Sequence, residues 1–271
     1  MDQQAEQARV GLSTGVTLPY VWVGPSSAVP VLLLHAWGES RRSFARLMPA
    51  LTEGVRAVAM DLRGHGEADR PSTGYSLTEV AEDVVAFMDA LGIPAAVLLG
   101  SSSGGYVAQQ VAVTHPDRVS GLLLAGSPLS LQGRPSFADQ VDALSDPVDP
   151  AWVRQLLTWF PRFHRVPAWY VDDRVRDGVL LAAHVWRETF YGLCNAEPPT
   201  ETANIAAPAL IVWGERDRLL PREQQEQLAR VIIGSRLLVY ENTGHLVLWE
   251  QPDRLARDLT KFVRVLQRRS H

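Results

Sequence analysis

The sequence predicts an α/β fold in which a mostly parallel, doubly wound sheet is interrupted by an inserted helical cap. Three observations lead to this prediction. Short apolar runs alternate with segments of helical periodicity from residue 31 to residue 126, and the same alternation resumes after Pro208. The residues between them are rich in aromatic side chains and contain no comparable apolar run. We therefore assign residues 1–130 and 208–271 to the core and residues 131–207 to the cap.

Six short apolar runs are the predicted strands. Strands that are covered on both faces lose the alternation of polar and apolar side chains, and these runs show little of it. Because helical segments separate most consecutive runs, the connections are expected to be parallel crossovers. The runs are residues 31–34, 55–60, 96–99, 119–124, 209–213 and 236–240.

Apolar residues three or four positions apart predict the helices. The clearest helix spans residues 77–91, and Gly92 directly follows it, as is common at helix ends. The other core helices are predicted at residues 106–115, 222–231 and 253–266. Within the cap, Asp149 and Pro150 are typical of a helix start. The three cap helices are predicted at residues 150–160, 168–176 and 179–193.

The composition excludes several classes of function. A net charge of −4 over 271 residues offers no basic surface to nucleic acid or to an anionic membrane. The polar N-terminal residues lack a signal-peptide pattern, and the longest apolar runs are too short to span a bilayer. The single cysteine, Cys194, allows no internal disulfide. We expect a soluble, cytoplasmic protein that acts on a small molecule, and leave open whether it is a homo-oligomer.

No metal or cofactor is expected from the sequence. The seven histidines are scattered without the spacing of metal ligands. A Gly-rich phosphate loop is also missing, because no lysine follows Gly104 and Gly105.

Residues 100–105, Gly-Ser-Ser-Ser-Gly-Gly, lie between a predicted strand and a predicted helix. In this setting a Gly-x-Ser-x-Gly pattern forms a sharp turn, which we call the elbow, with its central serine exposed. Very small residues are needed two positions before and after that serine. Ser102 has Gly100 and Gly104 at these positions and is the predicted nucleophile. The N–H group of Ser103 opens the following helix and is a natural oxyanion donor.

A serine nucleophile needs a base and a carboxylate that orients the base. Asp217 and His245 each follow a predicted strand, at the edge of the sheet where sites form in α/β folds. Ser102, Asp217 and His245 are therefore the predicted catalytic triad. Glu215 is the alternative acid, but it lies closer to its strand.

Motifs along nearly the whole chain resemble the α/β-hydrolase superfamily. The chain is most similar to its capped small serine hydrolases and esterases, a group that includes non-haem haloperoxidases and C–C bond hydrolases. Ser102 stands where epoxide hydrolases and haloalkane dehalogenases carry an aspartate, which argues against both. The motifs are His35-Ala36-Trp37-Gly38, Asp61-Leu62-Arg63-Gly64-His65-Gly66, the elbow, Trp213-Gly214-Glu215-Arg216-Asp217, and Gly244-His245 followed by Glu250 and Pro252.

The resemblance implies a second oxyanion donor in the loop after the first long strand, where the matching backbone N–H is that of Trp37. The chain departs from the family at Ala36, where glycine is usual. His35 and His65 are expected to hydrogen-bond their own loops, and Arg63 to pair with a carboxylate such as Asp61. An apolar substrate pocket is expected beside the elbow, lined by Ala36, Trp37, Tyr106, Trp159 and Trp186.

These residues predict a cofactor-independent serine hydrolase that cleaves a small, mainly hydrophobic ester, thioester or lactone through an acyl-enzyme. Three alternatives keep the same residues. The protein could be a ligand receptor built on a hydrolase fold, a perhydrolase or haloperoxidase-like enzyme that uses peroxide instead of water, or a C–C bond hydrolase. The sequence does not determine the specific substrate.

Overall fold

The computed structural model describes residues 6–51 and 54–269, and its centre is an eight-stranded sheet. The strand order is β1-β2-β4-β3-β5-β6-β7-β8. β1 pairs antiparallel with β2 and β2 with β4, whereas all other neighbours are parallel. The strands are β1 Glu6–Gly11, β2 Thr17–Val23, β3 Val29–Leu34, β4 Val55–Met60, β5 Ala96–Ser101, β6 Val119–Ala125, β7 Ala209–Gly214 and β8 Arg236–Tyr240.

Helices cover both faces of this sheet. Alternate residues of β3 point to opposite sides, so Leu32 and Leu34 join one core cluster while Val31 and Leu33 join another. The first cluster is completed by the helices α1, α2 and α8, and the second by α9 and α10. The bounds are α1 Leu77–Ala90, α2 Ser103–Thr114, α8 Arg222–Val231, α9 Val247–Glu250 and α10 Pro252–Arg269.

The predicted α/β fold class is confirmed, but two strands escaped prediction. All six apolar runs lie in strands β3 to β8. β1 was missed because it is an edge strand with a polar sequence and several exposed side chains. β2 was missed because Pro19 interrupts its apolar pattern. Proline is tolerated there because Pro19 lies outside the pairing of β2 with β4, which begins at Tyr20.

Between β6 and β7 the chain forms five helices, and no strand occurs in that fully described segment. The three predicted cap helices are present with shifted ends, α5 running four residues further than expected and α6 beginning four residues later. Two further helices were not predicted because each is too short to show a helical period. The five helices are α3 Ala138–Asp142, α4 Pro150–Thr158, α5 Ala168–Leu180, α6 Ala183–Cys194 and α7 Pro199–Thr202.

Arg63 pairs with a carboxylate, as expected, but the partner is not the suggested Asp61. Arg63 instead donates two hydrogen bonds of 2.7 Å to Asp83 on α1, while Asp61 binds Arg41. Both acids are fully buried, and each partner comes from an element distant in sequence. Proximity along the chain therefore gave the wrong partner, and the Arg63–Asp83 pair fastens the loop after β4 to α1.

Loss of the buried carboxylate should destabilise the fold. Asp83→Ala is expected to lower the free energy of unfolding by about 3–5 kcal/mol, because it leaves the Arg63 guanidinium buried without its partner. The matched control on the same helix is Asp89→Ala. The Asp89 side chain is 63% exposed, so its loss should change the free energy of unfolding by less than about 1 kcal/mol. Urea unfolding measures both; equal losses would contradict this interpretation of the pair.

Candidate active site

The elbow places Ser102 in a backbone conformation that non-glycine residues seldom adopt, with φ at +49°. The serine follows β5 directly and precedes α2. The flanking glycines are sterically required. A Cβ on Gly100 would lie 2.3 Å from the Cα of Gly105, and one on Gly104 would lie 2.2 Å from the carbonyl oxygen of Leu34. The turn thus places the Ser102 hydroxyl at the edge of the sheet, beyond the end of β5.

The structure brings Ser102, His245 and Asp217 together, as the sequence predicts. Ser102 Oγ lies 3.0 Å from His245 Nε2, and His245 Nδ1 lies 2.8 Å from Asp217 Oδ2. The other Asp217 oxygen accepts the N–H groups of Leu219 and Leu220 at 2.8 and 3.0 Å. With its Nδ1 proton donated to the fixed carboxylate, His245 presents Nε2 as an acceptor for the serine proton.

The alternative acid, Glu215, does not contact His245. Its side chain is exposed, and Oε2 accepts the N–H of Asn242 at 3.0 Å. Glu215 therefore supports the backbone of the loop that leads to His245. Within the described part of the chain, Asp217 is the carboxylate that bonds to the histidine.

Glu250 is a site residue whose role the sequence analysis missed. It is buried, and Oε1 accepts the N–H of Gly244 at 2.8 Å. Oε2 accepts the N–H groups of Phe163 and His164, in the cap, at 2.6 and 2.9 Å. One carboxylate thus joins the cap to the loop that carries His245. Its position at the end of an apolar stretch was the available signal, because a buried carboxylate there needs several donors.

Two backbone N–H groups lie beside Ser102, the predicted nucleophile. The N–H of Ser103 begins α2 and therefore has no acceptor within the helix. The N–H of Trp37 donates to the side-chain hydroxyl of Ser103 at 2.7 Å. The Trp37 indole is fixed by a 3.0 Å hydrogen bond to Thr189 of α6. Both predicted donors are therefore near Ser102, and one of them is engaged.

His35 and His65 brace the loops in which they lie. His35 Nδ1 contacts the Ala36 carbonyl at 2.8 Å, and Nε2 accepts the N–H of Leu62 at 3.0 Å. His65 Nδ1 contacts the Arg63 carbonyl at 3.0 Å. Burial lowers the pKa of His35 to about 4 and that of His65 to about 3. Both rings therefore stay neutral at physiological pH.

A cavity of about 750 Å³ lies between the cap and the elbow. Four predicted pocket residues line it, namely Ala36, Trp37, Trp159 and Trp186. The fifth prediction, Tyr106, is wrong. Tyr106 is fully buried in the core cluster of α1 and α2 and does not line the cavity; its hydroxyl lies next to Ser130, Leu131 and Cys194, which line the cavity instead.

The sequence analysis also did not predict the buried charged residues at one side of the cavity. Glu39 and Arg174 both line it, and Arg174 Nη2 lies 2.8 Å from Asp177 Oδ2 on α5. Glu39 accepts the Trp249 indole N–H at 3.1 Å. Burial raises the pKa of Glu39 and of Asp177. Together with a 2.7 Å hydrogen bond from Ser40 to Asp177, this cluster fastens the loop after β3 to the cap.

The described residues contain no group of three or more His, Cys, Asp or Glu side chains arranged to hold a metal ion. Across the same residues, the helices are too short or too polar to cross a membrane.

A family model described as alpha/beta hydrolase fold matches residues 29–252. The chain belongs to this family. Two of the curated relatives of this α/β hydrolase are described below. A non-heme chloroperoxidase of Streptomyces lividans is 29% identical, over 94% of this chain and 99% of the relative. A pimeloyl-[acyl-carrier protein] methyl ester esterase of Neisseria meningitidis serogroup B is 30% identical, over 88% of this chain and 94% of the relative.

A solved structure agrees with this family assignment. The esterase from Exiguobacterium antarcticum superposes with a TM-score of 0.81 and 26% sequence identity, covering 95% of this chain and 99% of that one. Family membership together with esterase-named relatives supports a hydrolase enzyme.

The steric requirement at the elbow can be tested in this α/β hydrolase. Gly100→Ala should lower the free energy of unfolding by more than about 2 kcal/mol, because the added Cβ meets backbone atoms that cannot move. Gly11→Ala is the matched control, since nothing lies within 4 Å of its Cβ position. Urea unfolding of both variants is the measurement, and a stable Gly100→Ala protein would contradict the proposed turn geometry.

The buried histidines should make stability pH-dependent. Their folded pKa values lie below the unfolded value of 6.5, so the unfolded chain binds more protons as the pH falls below 6.5. Each histidine should then reduce the free energy of unfolding by about 1.4 kcal/mol per pH unit down to its folded pKa. His65→Phe should therefore lower the slope of the free energy of unfolding against pH by about 1.4 kcal/mol per pH unit. Urea unfolding between pH 4.5 and 6 measures this slope. An unchanged slope would show that His65 is protonated in the folded state.

Proposed function

We propose that the protein is a serine hydrolase that cleaves a small, mainly hydrophobic ester, thioester or lactone through an acyl-enzyme. The observation that carries the proposal is the Ser102–His245–Asp217 chain of hydrogen bonds at 3.0 and 2.8 Å, opening on the large cavity under the cap. This is the arrangement that activates a serine hydroxyl at neutral pH.

In the proposed reaction, His245 Nε2 accepts the Ser102 proton as Oγ attacks the substrate carbonyl. The N–H groups of Ser103 and Trp37 hold the developing oxyanion. The protonated His245, oriented by Asp217, then gives its proton to the leaving alcohol, thiol or ring oxygen. Water, deprotonated by the same histidine, attacks the acyl-enzyme and restores Ser102.

The cavity walls favour an apolar substrate. Indole and aliphatic side chains from both core and cap surround the three serines of the elbow, including Trp37, Leu156, Trp159 and Leu246. The volume of about 750 Å³ is within the range that accepts small organic ligands. The esterase named among the relatives supports an ester substrate.

Peroxide is a second candidate nucleophile, favoured by the relative that is named a chloroperoxidase. In that reaction hydrogen peroxide replaces water in the attack on the acyl-enzyme, so that a peracid leaves and Ser102 is restored. Peracid formation in the presence of peroxide, abolished by Ser102→Ala, would support this activity. Its absence while ester hydrolysis proceeds would limit the enzyme to hydrolysis.

The test is turnover of p-nitrophenyl esters of increasing acyl length. The wild-type protein should turn over repeatedly, with an optimum chain length that reflects the depth of the cavity. Ser102→Ala should lose at least about a thousandfold in kcat. Ser101→Ala is the matched control, because this neighbour also lines the cavity but has no bond to His245, and it should stay within tenfold of wild type.

Full ester hydrolysis by Ser102→Ala would refute the proposal. Inert wild-type protein across the whole ester series would also count against it and would favour the receptor alternative.

A further inference from the structure

The second oxyanion donor is already engaged in this structure. The Trp37 N–H donates to Ser103 Oγ at 2.7 Å, within the range that an oxyanion itself requires from its donors. One N–H cannot serve two acceptors at full strength. Stabilising a tetrahedral intermediate therefore requires the Ser103 hydroxyl to give up this bond.

An acceptor without a donor lies in the loop that follows β4. His65 Nε2 is buried and has no hydrogen-bond partner among the described residues. Since Nδ1 is bonded to the Arg63 carbonyl and the ring is neutral, Nδ1 carries the proton and Nε2 is the acceptor. A buried acceptor without a donor is costly, so its persistence calls for a reason.

Ser103 and His65 border the same small void. It has a volume of about 30 Å³, enough for one small polar group, and Trp37 and Thr189 also line it. Ser103 lines both this void and the main cavity. Among the described residues, its hydroxyl has the bond from Trp37 and no acceptor for its own proton.

We propose that Ser103 is a positioning residue whose hydroxyl occupies two positions. In the resting protein Oγ accepts the Trp37 N–H. When an oxyanion forms at Ser102, Oγ turns about the Cα–Cβ bond into the void and donates to His65 Nε2, which frees the Trp37 N–H for the oxyanion. The inference rests on the proposed function, because it assumes that an oxyanion forms.

The exchange breaks one neutral hydrogen bond and makes another, so it costs little while His65 is present. Without the acceptor, the released hydroxyl would be buried with its proton unsatisfied. Removing the His65 ring nitrogens should therefore slow the acylation step by roughly two- to tenfold, the effect of one neutral hydrogen bond.

The direct test is a pair of crystal structures, of the free protein and of the protein after reaction with a p-nitrophenyl phosphonate. In the adduct, Ser103 Oγ should lie within about 3.2 Å of His65 Nε2, with the phosphoryl oxygen on the N–H groups of Ser103 and Trp37. Ser103 Oγ remaining on the Trp37 N–H would overturn the inference. A phosphonate that does not bond to Ser102 would instead count against the proposed function.

A kinetic cycle provides an independent test. His65→Phe should lower kcat for the preferred p-nitrophenyl ester by roughly two- to tenfold with little change in KM. In the Ser103→Ala background the same substitution should have no effect within twofold, since no hydroxyl needs the acceptor. The loss of the bond to the Arg63 carbonyl is common to both backgrounds and cancels. In the Ser101→Ala control background the His65 effect should persist.

Equal falls in the two backgrounds would overturn the inference and make His65 a structural residue only. A loss of tenfold or more on Ser103→Ala alone would also overturn it, because the hydroxyl would then be a direct donor to the oxyanion.

Discussion

The backbone of Ser102, held at φ +49°, is the constraint on which the candidate site depends. Such strain persists only where the surrounding structure enforces it. Here the Ser102 N–H donates to the Ala125 carbonyl of β6 at 2.9 Å, and its carbonyl accepts the N–H of Gly105 at 2.8 Å. β5 is buried between β3 and β6, so the turn cannot relax without disturbing the centre of the sheet.

The loops around the elbow are positioned by the cap as much as by the sheet. Glu250 ties the cap segment at Phe163 to the loop of His245. On the opposite side, Asp177 of α5 accepts the Ser40 hydroxyl, which fixes the loop that carries Trp37. His245, the proposed base, and the loop of Trp37, the proposed second oxyanion donor, are thus both braced by buried carboxylates. Displacing the cap from the core would break the contacts that hold both loops. The shape of the cavity and the positions of these loops therefore depend on the same placement of the cap.

Local patterns in the sequence were sufficient to predict six of the eight strands and to predict that Ser102, Asp217 and His245 come together. Buried strands, the glycines around Ser102, and acid and histidine at strand ends are visible along the chain. The predictions that failed concern features that depend on contacts between segments distant in sequence. Nothing near Arg63 indicates Asp83 as its partner, and the direction of the Tyr106 side chain depends on how α2 packs. The polar edge strand β1 forms because β2 offers it a partner, which its own sequence does not show.

The most direct test of the central claim is to trap the acyl-enzyme. The protein would be mixed with a p-nitrophenyl ester, quenched in acid within the first turnovers, digested, and mapped by fragmentation mass spectrometry. An acyl group on Ser102, and on neither Ser101 nor Ser103, is the predicted result. Turnover without an acylated chain, or acylation of another residue such as Cys194, would contradict the assignment of Ser102 as the nucleophile.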